Sequence, residues 1–254
     1  STSYGIVLFG AYEQSVGNVI TENTITAHIR GILSWDAEGT IISGNSITDN
    51  KEHGICLYDS NGTVVSGNTI TDNLMNGIII QGYHYSNNNT ISGNYIENNK
   101  NGILFEYACN TTITGNSIKS NTQWGLILTY DGFYNRHYGF YPVSNNTFYN
   151  NNFVNDHQVL YSVTDQTDKS LTIDHWDNGT AGNYWSNYNG TDNDGNGIGN
   201  TPYILNENNQ DNHPLLEPVS VPEFPSWMVL PLLLVATLVS VIYKKRLTAN
   251  HRSY

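Results

Sequence analysis

The chain is short of cysteine, of charge and above all of positive charge. Two cysteines cannot build a disulfide framework. Charged residues make up 13% of 254 positions, about half the usual share. Only 10 are Lys or Arg, and Lys244, Lys245, Arg246 and Arg252 lie in the last eleven residues. Residues 1–243 therefore carry 6 basic against 22 acidic groups, or −16. Such a surface repels phosphate backbones and excludes a nucleic-acid partner. The Ala, Glu, Lys and Leu enrichment of a coiled coil or helical bundle is missing too. No charged-then-apolar export segment opens the chain, and Ser1-Thr-Ser-Tyr-Gly-Ile reads as a truncated start. In place of charge stand 37 Asn, 23 Gly and 18 Tyr, while 38% hydrophobic residues suffice for a core.

Those residues are arranged as a repeat. Gly followed by apolar residues recurs at Gly5, Gly31, Gly54, Gly77, Gly102 and Gly125, in steps of 26, 23, 23, 25 and 23. Asn followed two residues later by Ile or Phe recurs at Asn23, Asn45, Asn68, Asn94, Asn116 and Asn146. Each period holds three short runs rich in Ile, Val and Thr, separated by Gly, Asn, Ser and Asp. Runs this short are strands. Three strands and three turns in about 22 residues make one coil of a parallel β-helix. Stacking then predicts three inner files. Ile20, Ile42, Val65, Ile91 and Ile113 form one. Ile25, Ile47, Ile70, Ile96, Ile118 and Phe148 form the second. Ile6, Ile32, Ile55, Ile78, Ile103 and Leu126 form the third. Asn23, Asn45, Asn68, Asn94 and Asn116 predict an amide file, and His28, Asn50, Asn73, Asn99 and Asn121 another.

The C-terminal part differs. Trp227 to Tyr243 is a 17-residue uncharged run ahead of Lys244-Lys245-Arg246. At about 1.5 Å per residue it can cross a bilayer core, with the basic cluster on the cytoplasmic side. The expected organisation is a β-helix over 1–160, a further module over 161–216 and a Pro-rich linker over 217–226. A single transmembrane helix over 227–243 and a basic tail over 244–254 complete it.

These repeats resemble those of the pectate-lyase-like superfamily, and most closely the NosD-like β-helix proteins common on archaeal surfaces. Trp176-Asp-Asn-Gly, Gly182-Asn-Tyr-Trp-Ser-Asn-Tyr, Asp192-Asn-Asp-Gly-Asn-Gly-Ile-Gly-Asn-Thr-Pro-Tyr and Asn209-Gln-Asp-Asn-His-Pro-Leu look like that family's closing module. The resemblance covers residues 5–216 and implies a right-handed parallel β-helix of about six coils, closed by that module. Pro222-Glu-Phe before the apolar run is similar to a PEF-type archaeal sorting signal, which implies retention at the cell surface.

The family name also implies copper, but the eight His, two Cys and two Met are scattered, whereas copper needs such ligands clustered. Cys56 and Cys109 are two coils apart, beyond disulfide reach. Asp192-x-Asp194-x-Asn196-Gly197 opens like a calcium loop, with Asp211 as a further carboxylate. Its twelfth position is Tyr203, however, where a helix–loop–helix site needs Glu. Asp36 and Asp59 occupy one place in adjacent coils, about 5 Å apart, the separation of a retaining glycosidase. No Arg or Lys is expected beside them. Along the same edge Trp35, Tyr58, Tyr107 and Tyr130, with Tyr83, Tyr85, Trp124, Tyr134 and Tyr138, are candidates to stack on sugar rings. The Tyr-rich segment Asp131–Tyr141 is expected to protrude. Asn61, Asn88, Asn110, Asn145, Asn178 and Asn189 head N-glycosylation motifs.

The expectation is a membrane-anchored, non-enzymatic surface protein that binds polysaccharide or surface-layer glycan, or builds an envelope layer. A polysaccharide lyase or hydrolase is the first alternative and a copper-maturation accessory protein the second.

Overall fold

The computed structural model describes residues 3–10, 15–82, 86–130, 143–163 and 173–221. The apolar run 227–243, the basic tail and the segment Asp131–Tyr141 lie outside them, as do Tyr83 and Tyr85. Among the described residues no helix is long and apolar enough to cross a membrane.

The described part is an all-β parallel helix with three long sheets of seven, six and seven strands. The first sheet holds Ile6–Phe9, Ile32–Trp35, Ile55–Tyr58, Asn76–Gln81, Asn101–Glu106, Trp124–Tyr130 and Val159–Val163. Five turns of the chain separate the first of these strands from the sixth. The second sheet runs from Val19–Thr21 to Thr147–Tyr149, and the third from Thr24–Thr26 to Tyr184–Trp185. Every pairing within these sheets is parallel and joins equivalent residues, such as Ile55 with Ile78 and Ile70 with Ile96.

Alternation explains the core. The middle residue of each three-residue strand points inward, so Ile42, Val65, Ile91 and Ile113 are fully buried, as are Ile47, Ile70, Ile96 and Ile118. Burying each such side chain contributes roughly 1.5–3 kcal/mol. The Gly of the Gly-Ile repeat marks a tight approach between coils. A Cβ on Gly77 would lie 2.7 Å from Ile96 Cγ2 and 2.8 Å from the Gly102 carbonyl oxygen.

The amide files are continuous hydrogen-bonded ladders. The backbone N–H and the Nδ2 of Asn45 donate to Asn68 Oδ1, both at 2.9 Å. Asn68 donates likewise to Asn94, and Asn94 to Asn116. Spare Nδ2 hydrogens reach backbone carbonyls, as from Asn68 to Ile42. The buried amides of these ladders are thereby bonded, which is what lets a core carry so much Asn.

One expected register is corrected. Asn116 donates to Asn151 rather than Asn146, at 3.0 and 2.9 Å. Phe148 pairs with Ile113, and Phe153 takes the place after Ile118. Asn146-Thr-Phe resembles the repeat motif but belongs to a third polar file, with Thr111 before it and Asp174 after it.

Candidate functional site

The outer face of the first sheet carries a row of side chains in consecutive coils. Parallel register aligns Phe9 with Trp35 and Trp35 with Tyr58. Phe9 and Trp35 meet edge to face at 5.6 Å, and Trp35 meets Tyr58 the same way at 6.0 Å. Phe9 is 59% exposed and Trp35 42%, so these rings cover no core. The row continues through Gln81, Glu106 and Thr129. Coils repeat every ~4.8 Å, so the strip presents rings and then polar groups at a regular step. Beside it on the same face Leu33, Cys56 and Ile79 form a small apolar cluster of their own, against which Tyr58 packs.

Arg30, absent from the sequence-based candidates, stands beside the strip. Its guanidinium lies 5.5 Å from the Tyr58 ring and 5.7 Å from that of Tyr4, while Nε donates to Glu52 Oε2 at 2.6 Å. Only the fold reveals it, because Arg30 precedes its own strand and reaches Tyr58 across the coil step.

Asp36 and Asp59 follow Trp35 and Tyr58 in adjacent coils, at φ of 54° and 47°. That left-handed turn position favours Asp and Asn, which accounts for the residue type without chemistry. The equivalent residue two coils further on is Tyr107, at φ 56° and 4% exposed. Its ring is buried and offers no open face for stacking. Tyr130 ends the strand Trp124–Tyr130, and its side chain lies outside the described residues.

The expected calcium ligands fall in two places. Asp192 Oδ1 accepts the backbone N–H groups of Asp194, Gly195 and Asn196, and its Oδ2 accepts that of Gly197 at 2.8 Å. The Gly197 N–H, first among these, holds the Asp192 carboxyl below its ordinary range. Asn196 Nδ2 donates to Asp194 Oδ2 at 3.0 Å. Asp211 instead is fully buried and accepts from the N–H of Asn183, Trp185 Nε1 and the N–H of His213. Burial pushes its carboxyl up to about 6.

Residues 1–190 match the family described as periplasmic copper-binding protein (NosD). The chain belongs to the NosD family. No curated protein matches the sequence. Two crystal structures of the periplasmic alginate epimerase AlgG, a double and a single mutant, are similar in fold, each with TM-score 0.54 and 22% identity. The matches cover 65% and 66% of this NosD-family chain but only 37% and 38% of those proteins.

The copper in the family's description finds no donor set here. Among the described residues no three His, Cys, Asp or Glu come together as metal ligands. Cys56 and Cys109 are free and buried. Burial pushes the Cys56 thiol up to about 12, so thiolate is disfavoured. Burial, then the charge of Arg30, pushes His53 down to about 4. The described part of this NosD-family chain does not fit a copper site.

Proposed function

We propose that this NosD-family chain is a non-enzymatic β-helix displayed outside the cell that binds carbohydrate along the outer face of its first sheet. The observation that carries this reading is the row of exposed Phe9 and Trp35 and half-buried Tyr58, whose rings stand in line and continue into Gln81 and Glu106. Rings stack on the apolar faces of sugars, and the amide and carboxylate beyond them bond hydroxyls. The run Trp227–Tyr243 ahead of Lys244-Lys245-Arg246 supports a single-span anchor. The periplasmic alginate epimerase AlgG, similar in fold, supports the carbohydrate reading by analogy of fold alone.

An enzyme acting on polysaccharide is the second reading, favoured by the adjacent coil positions of Asp36 and Asp59. A polysaccharide array combined with a degradation screen separates the two. Binding without turnover, weakened by Trp35→Ala, supports the first reading. Turnover abolished by Asp36→Asn or Asp59→Asn establishes the second. Calcium at Asp192, Asp194 and Asn196 belongs to the same proposal, and a melting temperature indifferent to calcium and to chelator rules it out.

A further inference from the structure

A concave surface lies towards the C-terminal end of the β-helix, away from the aromatic strip. A cleft of about 400 Å³ opens between the last coil and residues 203–206, within the size range of small-molecule sites. Trp124 and His157 form one wall, with ring centroids 4.8 Å apart and planes inclined by 34°. Tyr203 lines the cleft too; its ring stacks on Trp185 at 4.3 Å and is held in place.

The polar groups around these rings are specific in kind. Tyr203 Oη donates to Asn187 Oδ1 at 3.1 Å, which leaves the phenol oxygen able to accept. Asn187 Nδ2 makes no hydrogen bond to a described residue. Asn206 uses Oδ1 to accept from the Asn208 N–H and from Asn209 Nδ2. Its own Nδ2 likewise has no described partner. Asp156, exposed on the rim, adds an acceptor. The lining thus offers flat rings, two amide donors, a phenol oxygen and one carboxylate, with no Lys or Arg. Without Lys or Arg an acidic sugar or phosphate has no permanent counter-charge, and Asp156 repels it. Rings with scattered donors and acceptors suit the alternating apolar faces and hydroxyls of a neutral sugar.

We infer that the cleft of Trp124, His157, Tyr203, Asn187, Asn206 and Asp156 is a second binding site, for a short neutral saccharide. It stands on different residues from the Phe9–Trp35–Tyr58 strip and does not depend on that strip binding anything. Calorimetry and tryptophan fluorescence on the full chain test it, with cellohexaose, maltohexaose, mannohexaose and chitohexaose as probes and a hexamer of galacturonic acid as the acidic control. At least one neutral hexamer is expected to bind in the millimolar range or tighter, and the acidic one at least about tenfold more weakly. Trp124→Ala should weaken binding by about tenfold or more. Asn206→Asp keeps the oxygen used in the local turn and replaces the free donor by a charged acceptor, so it should weaken binding with little change in melting temperature. Leu74→Ser, at an exposed residue outside both the cleft and the strip, should leave binding unchanged. The inference is overturned if no neutral hexamer binds, if the acidic hexamer binds best, or if both cleft variants bind like the parent chain. Hexamer binding lost in Trp35→Ala but kept in the cleft variants would overturn it while supporting the strip.

Discussion

The middle coils and the C-terminal end solve the same stacking problem with different chemistry. In the middle each coil ends against another like it. Aliphatic files are one residue deep per coil, and every ladder Asn both donates to the next coil and accepts from the previous one. At the C-terminal end of the described β-helix the residue types change. The inner files pass from Ile to rings: Ile113 is followed by Phe148, which stacks on Trp176 at 4.3 Å. Ile118 is followed by Phe153, then Trp185 at 4.5 Å and Tyr203 at 4.3 Å. The ladders pass from Asn to residues that accept. Asn183 donates its N–H to Asp211 Oδ2 at 2.7 Å, and Asn155 reaches Gln158 Oε1 at 3.2 Å. Asn146 donates to Asp174 Oδ1 at 2.9 and 3.1 Å, and the Asp174 N–H passes the file on to Asn209 Oδ1 at 2.9 Å. The Asn151–Asn183 ladder, whose N–H groups all point one way, runs into the Asp211 carboxylate, whose side chain accepts without having to donate. A Cβ on Gly182 would fall on the Asp211 carboxylate itself, so only glycine lets that terminator in.

This contrast can be broken most forcefully at the rings. Trp185→Ala removes a fully buried side chain that stacks on two others and bonds Asp211, and should cost about 3–5 kcal/mol in chemical denaturation. An effect well below that would mean the aromatic end is not what closes the core. Asn94→Ala interrupts a ladder in mid-run, strands the Asn68 N–H and removes one donor from the Val65 carbonyl oxygen. It should cost about 2–3 kcal/mol by the same assay.

Acid should act on the two regions in opposite directions. Burial raises Asp174 to about 7 in the fold, from an ordinary 3.8. Its contribution is therefore full below about 4 and is lost as pH rises through about 7. His53 runs the other way, from an ordinary 6.5 down to about 4, so its contribution is present above 6.5 and lost as pH falls towards 4. Melting curves between these limits should shift by a few degrees. Asp174→Asn should remove the loss on the alkaline side, since an amide still accepts from Asn146, and a profile unchanged in that variant would clear Asp174 of the effect. Trp35→Ala should be the mildest of the set, within about 0.5 kcal/mol of the parent chain, because its ring is 42% exposed. A larger loss would assign the outer row to stability instead of binding.

The sequence by itself determined the parallel helix, the three inner files through Ile113, Ile118 and Leu126, and two of the amide ladders. It could do so because β-stacking puts equivalent residues in contact, and periodicity is then a direct record of who touches whom. It also placed Trp35 and Tyr58 together, since they share one position in adjacent coils. Tertiary structure alone decided matters wherever that period breaks. The step from Asn116 to Asn151 is 35 residues, and within it Asn146-Thr-Phe imitates the repeat, so counting along the chain selects the wrong partner. The position of Arg30 over Tyr58, the burial of Tyr107 and the engagement of Asp211 with Trp185 and Asn183 leave no periodic trace. Each depends on which side chain fills a gap between coils or at their end, and packing in three dimensions, not spacing along the chain, decides that.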